Sequence, residues 1–221
     1  MKSLLNIMLL SCLLTTTSQA TLIQIHNCTG AQQCIITTAP PNPIIANPNN
    51  NLLLAWDEVQ NLLLIEDLMV DRVFDDTASF VESVNRDNYL IKAGTIISSH
   101  YFQWDPSPKR NKTVSATIQL DSQVFAFITS DNNLFNSDVF LGLLGLNYAD
   151  FRLRGLEKND ITNFNGPNVD ISWKAGKPGD WARLITAYSP SGNNAVPQQV
   201  PEPNLLMIFA MALLIIVKVK S

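Results

Sequence analysis

Histidine is nearly absent from this 221-residue chain: His26 and His100 are the only two. That scarcity argues against a histidine-rich metal centre and leaves few bases for nucleophilic catalysis. Basic residues are few as well. Nineteen acidic residues face fifteen lysines and arginines. Three of those lysines, Lys2, Lys218 and Lys220, sit in the terminal segments, so residues 21–203 carry a net charge of about −7. An acidic surface repels phosphate backbones, which argues against nucleic acid as a partner. Charged residues make up only 15% of the chain, while Asn, Thr and Ser abound. That is the composition of an extracellular β-protein rather than of a cytosolic helical enzyme. There is no internal repeat and no nucleophile-elbow motif.

Cysteine is the next scarcity, with three in all. Cys12 lies in an N-terminal segment that reads as a leader. Lys2 supplies its positive start, an apolar run follows over 4–14, and small residues end in Ser18-Gln19-Ala20. This pattern predicts a signal peptide over 1–20, cleaved after Ala20. Cys28 and Cys34 remain, with five residues between them. An even pair in an exported chain predicts a disulfide. A loop this small restricts little of the unfolded chain, so its stabilisation is limited to a few kcal/mol. The spacing is not that of a zinc site, although His26 is near.

The other end has three parts in strict order. Residues 190–203 hold four prolines and no apolar periodicity, which makes them an extended linker. An unbroken apolar run of thirteen residues follows, from Leu205 to Val217. Lys218 and Lys220 then close the chain with positive charge. As a helix the run reaches about 20 Å, short against a bilayer core of about 30 Å. Such a span suits a temporary anchor.

Val200-Pro201-Glu202-Pro203, the apolar run directly after it and the basic end together resemble the PEP-CTERM sorting signal of Gram-negative bacteria. The resemblance implies that exosortase, a membrane protease-transpeptidase, recognises Pro201-Glu202-Pro203 and cuts nearby. The logic matches other sorting tails that are removed from the mature protein. It implies a chain held in the inner membrane by a transmembrane helix over 204–221, then released to the cell surface or the extracellular matrix. A link to exopolysaccharide comes from the same resemblance. The family usually ends in an arginine cluster, and here two lysines stand in its place. They still fit retention on the cytoplasmic side. Residues 54–188 are similar to the β-rich extracellular domains found upstream of such tails. Ile97-Ser98-Ser99-His100-Tyr101, Trp104-Asp105-Pro106, Phe127-Ile128-Thr129-Ser130 and Arg154-Gly155-Leu156-Glu157 carry that similarity, which names no activity.

The middle of the chain reads as strands. Over 113–120, Val114, Ala116, Ile118 and Leu120 alternate with Thr113, Ser115, Thr117 and Gln119. Period two puts one set on a core face and the other in water. Val169, Ile171 and Trp173 repeat the pattern. Further strands are predicted over 21–26, 52–56, 62–65, 68–73, 89–91, 95–103, 124–129 and 181–188, separated by Asn-, Pro- and Gly-rich turns. A short helix is predicted around 136–144 or 148–152. The expectation is a mainly β fold, an antiparallel β-sandwich or jelly roll over 52–189. Residues 21–51 are expected to hold a first strand, the disulfide loop and a Pro/Asn-rich linker.

The candidate chemistry is sparse. Ser98 or Ser99 beside His100 offers a nucleophile and a base, but neighbours on a strand point to opposite faces. Glu58, Glu66, Glu82 and Glu157 offer carboxylate pairs across strands for a glycosidase-type hydrolase. Asp131, Asn132, Asn133, Asn136 and Asp138 offer hard oxygen ligands for Ca2+ in a loop, with Asp131, Asn133 and Asp138 the principal set. They lack the EF-hand register. Tyr101, Phe102 and Trp104, with Trp173 and Trp181 elsewhere, offer aromatic faces for a glycan, Tyr101 and Trp104 foremost. Asn27-Cys28-Thr29 and Asn111-Lys112-Thr113 match a glycosylation sequon that matters only in a eukaryotic source. The reading is a non-enzymatic surface or matrix protein without a resident cofactor. The alternatives are a secreted carbohydrate-active hydrolase and a permanently anchored envelope protein.

Overall fold

The computed structural model describes residues 22–85, 88–106, 112–149, 153–176 and 178–188. The leader over 1–20, the linker, the sorting motif Pro201-Glu202-Pro203, the apolar tail and Lys218 and Lys220 lie outside them. Among the described residues no helix is long and apolar enough to cross a membrane.

The described residues form strands β1 (Leu22–Thr29), β2 (Gln33–Ile36), β3 (Leu52–Asp57), β4 (Leu62–Leu63), β5 (Leu68–Val70), β6 (Arg72–Val73) and β7 (Val81–Asn85). The chain continues with β8 (Asn88–Ile91), β9 (Ile96–Asp105), β10 (Lys112–Leu120), β11 (Val124–Ile128), a helix α1 (Asp131–Leu141), β12 (Ile161–Asn165), β13 (Asn168–Ala175) and β14 (Asp180–Thr186). The protein is therefore mainly β, as its alternation predicts. Helix α1 starts five residues before the predicted 136–144, because Ser130 in extended conformation opens it.

Three sheets result. The first runs β1-β10-β13-β12. The second runs β2-β3-β9-β14-β11-β6, with β4 pairing β9 at one side. The third is β5-β8-β7. All named strand pairings are antiparallel except β2 with β3, which is parallel. The first two sheets share one core. Val114, Ala116, Ile118, Val169, Ile171 and Trp173 come from the first sheet, and Leu53, Ala55, Phe102, Trp104, Phe127 and Leu184 from the second. These are the alternating apolar positions read from 113–120 and 169–173, now facing inward.

The second sheet is covered on its other face as well. Leu54, Trp56, Tyr101, Ala126, Ile128, Trp181 and Ile185 pack there with Leu134 and Leu141 of α1 and Leu68, Val70 and Ile91 of the third sheet. Every residue of β14 is consequently buried, and all of β9 beyond Ile96. A strand covered on both faces has no solvent side, so its polar residues need partners inside the protein.

The N-terminal segment is part of the same body rather than a lead-in. β1 pairs β10 from Leu22↔Leu120 to Thr29↔Ser115, and β2 pairs β3. The Pro/Asn-rich stretch predicted as a linker places Ile44 in the second core, 1% exposed and bridged to Tyr148. Cys28 and Cys34 form the predicted disulfide, joining the end of β1 to β2.

Candidate functional site

The aromatic residues read as a glycan surface are buried. Tyr101 and Trp104 are both 0% exposed, so neither ring offers a face to a sugar. Phe102, Trp173 and Trp181 are buried with them. β9 lies between the two cores, which sends Trp104 into one and Tyr101 into the other.

The residues read as a calcium loop form the start and middle of α1. Asp131 Oδ2 accepts the Leu153 N–H at 2.9 Å. Asn133 donates its amide to Asp71 at 2.7 Å. Asp138 accepts two N–H groups of Arg154 at 2.6 and 2.7 Å and one of Arg183 at 3.0 Å. Two guanidinium groups on one carboxylate are a poor neighbourhood for a cation. Asp138 belongs to a buried network instead. Arg183, in the middle of β14, donates to both oxygens of Glu58 at 2.6 and 2.8 Å and to Ser137 at 2.6 Å. Arg154 donates to the Tyr101 hydroxyl at 2.8 Å, and the Tyr148 hydroxyl donates to Glu58. Burial pushes the Tyr101 and Tyr148 hydroxyls above their ordinary pKa. Two arginines against two carboxylates leave the network neutral, which makes its burial tolerable.

His100 has a different partner from the one its sequence neighbours suggest. Its Nδ1 lies 2.7 Å from Asp57 Oδ1 and its Nε2 3.2 Å from Thr186 Oγ1. That is the order acid, imidazole, hydroxyl. Yet His100 and Thr186 are fully buried, so the hydroxyl has no route to a substrate. Ser98 and Ser99 bond elsewhere, Ser98 to Asn61 and Ser99 to the Leu141 carbonyl. Of the four glutamates, Glu58 is taken by Arg183 and Glu82 by Lys92 at 3.7 Å. Among the described residues, only Glu157 of the four belongs to a group of three converging carboxylates.

Glu157, Asp160 and Asp180 bring their carboxylate oxygens within 4.8 Å of one another. Local folding explains Asp160. Residues 157–160 form a tight turn in which the Asp160 N–H donates to the Glu157 carbonyl at 3.1 Å. Asp160 Oδ2 accepts the Glu157 N–H at 2.7 Å, and its Oδ1 accepts the Lys174 N–H of β13 at 2.7 Å. This is the usual way an Asp side chain closes its own turn. Arg72 of β6 braces the turn from outside, donating to the carbonyls of Asp160 at 2.8 Å and Glu157 at 3.3 Å. Asp180 arrives from β14. Gly179 before it lies so close to β9 that a Cβ would stand 2.3 Å from the Trp104 carbonyl oxygen. Glycine is thus needed to let the strand begin there.

Asp180 is 1% exposed, and no N–H or hydroxyl donor reaches its Oδ2, whose carboxyl lies against that of Glu157. Burial, then the charges of Asp160 and Glu157, a hydrogen bond with the Glu157 carboxyl and the charge of Asp105 push its pKa up to about 9. Glu157 is raised too, by burial and then by Asp160. Among the described residues none of the three is ion-paired to a lysine or arginine. Such a group can do two things: share a proton or bind a cation.

Asp160 also lines an open cleft of about 680 Å³. Arg72, Asn88, Lys158, Thr162 and Asn163 line it too, with Thr129 and Ser130 from the approach to α1. Amides, hydroxyls and charges of both signs dominate, and among the described residues no aromatic one contributes. Comparison with family models, curated proteins and solved structures finds no match. The site therefore rests on its own geometry. Glu157 was legible as one of several acids. Asp160 and Asp180 had no sequence signal beyond turn residues around each, because nothing local says that positions twenty apart meet.

Proposed function

We propose that the protein is a non-enzymatic exported protein of the cell surface or extracellular matrix, processed by exosortase at Pro201-Glu202-Pro203. Its β-rich body is a sandwich of jelly-roll type that associates with polysaccharide. The observation that carries the sorting reading is the order of the last residues: Pro-Glu-Pro, thirteen apolar residues, then Lys218 and Lys220. The Cys28–Cys34 disulfide supports an oxidising compartment. The polar cleft supports a polyhydroxylated ligand, since hydroxyl groups are recognised by fixed amides, hydroxyls and charges. Against a hydrolase stands the burial of the would-be reacting groups. Asp180, His100 and Thr186 are closed to substrate.

The experiment is intact-mass measurement of the protein recovered from its producing cells, followed by retention on the exopolysaccharide of those cells. Loss of residues 1–20 and of the chain beyond Pro203, with retention that weakens in Asn163→Ala, is the expected result. A mass that keeps residues 204–221 leaves a permanently anchored envelope protein and removes the sorting reading. Retention unaffected by Asn163→Ala and Lys158→Ala removes the cleft from the account.

A further inference from the structure

We infer that Glu157, Asp160 and Asp180 form a binding site for a divalent cation of calcium type, tying the 157–160 turn to the first residue of β14. The three carboxylates converge from a turn and a strand far apart in sequence, with oxygens within 4.8 Å. The convergence alone is a common surface feature. The independent sign is Asp180 Oδ2, a carboxylate oxygen that no N–H or hydroxyl reaches, in a residue 1% exposed and faced only by other carboxyl groups. A buried carboxylate oxygen without a partner is costly, and native proteins satisfy such groups with a ligand, a proton or water.

The donor set selects the ion. All the ligands are hard oxygens, with no histidine or cysteine among them, which suits Ca2+ over Zn2+. Calcium takes about six to eight oxygens in flexible geometry, and the exposed Glu157 side leaves room for water to complete the shell. Arg72 does not occupy the position: its N–H groups go to the carbonyls of Asp160 and Glu157 and to Thr162 Oγ1. Asp105, which follows Trp104, the residue paired with Asp180 across β9 and β14, adds a further negative charge. The site lies apart from Asp131, Asn133 and Asp138, whose side chains are held by other groups. It also adjoins the cleft through Asp160, so a bound ion stiffens one cleft wall.

The test uses the purified protein, stripped with chelator, titrated with CaCl2 by calorimetry and followed by thermal unfolding. One saturable site per chain is expected, with an unfolding midpoint that rises with free calcium. Asp180→Asn keeps cooperative unfolding and weakens calcium binding by about tenfold or more. Asp131→Asn leaves it unchanged. A folded wild-type chain that shows neither saturable heat nor a midpoint shift overturns the inference. So does an unchanged affinity in Asp180→Asn, or in the exposed variant Glu157→Gln should Asp180→Asn fail to fold. The outcome is read on purified protein and does not depend on how the chain is exported or on what its cleft binds.

Discussion

Arg183 shows what a fully covered strand demands of a single residue. It stands in β14 among Ala182, Leu184 and Ile185, and is itself 0% exposed. Its guanidinium meets Glu58, Ser137 and Asp138, and lies 5.0 Å from the Tyr101 ring centre. Removing one partner of such a pair strands the other charge in a low-dielectric interior. Arg183→Met is expected to cost about 3–5 kcal/mol in urea unfolding. Arg183→Lys is expected to recover little of it, because an ammonium cannot make the paired contacts of the fork. Asp180 presents the opposite case, an acid without a cation. Its pKa rises from 3.8 to about 9 on folding, through burial and the nearby Asp160, Glu157 and Asp105. The native state therefore holds a proton that the unfolded chain releases above its lower pKa. Stability is greatest below the unfolded value and is lost as pH rises toward the folded one. With cations chelated, the unfolding midpoint is expected to fall between about pH 5 and pH 8. Asp180→Asn, which carries no charge to desolvate, is expected to flatten that slope.

At the scale of the element, α1 is held less by its own sequence than by a residue from another sheet. Asp71 separates β5 from β6 and turns its carboxylate to the start of the helix. It accepts the N–H groups of Thr129 at 2.5 Å and Ser130 at 2.8 Å, the Ser130 hydroxyl at 2.8 Å and the Asn133 amide at 2.7 Å. A carboxylate here satisfies donors at the helix entry and complements the helix dipole. Asp71→Ala leaves those donors unpaired at a cost of about 1–3 kcal/mol. The expected readout is faster amide exchange over residues 131–141, with the shared core of the two large sheets unchanged. Gly155 fits the same junction. Its φ of +130° and its approach to the Thr129 carbonyl, 2.3 Å from where a Cβ would sit, exclude a side chain.

For the whole molecule, the central fact is that one sheet serves two cores. Period-two reading works for β10 and β13, whose outer faces meet solvent. It found β9 and β14 as strands but could not say what their polar residues do. His100, Gln103, Asp105 and Arg183 interrupt both apolar faces and are all buried. The short strands β2, β7 and β12 carried no pattern strong enough to predict. β2 sits inside the sequence next to the disulfide turn, and β7 and β12 expose most of their residues. The Pro/Asn-rich stretch read as a linker folds back because Ile44 has a core to enter.

The sequence by itself determined the mainly β character, the alternating core strands, the cysteine pair and the acidic, histidine-poor chemistry, since each depends on residue type or on neighbours a few positions away. It could not decide which acids meet. Asp138 and Asp160 look alike as residues in polar stretches, yet one is drawn between two arginines and the other between two carboxylates. That difference arises only when β14 docks between β9 and β11 and brings Asp180 to the 157–160 turn. Charge, burial and partner are properties of the assembled sheets, and the local chain does not encode them.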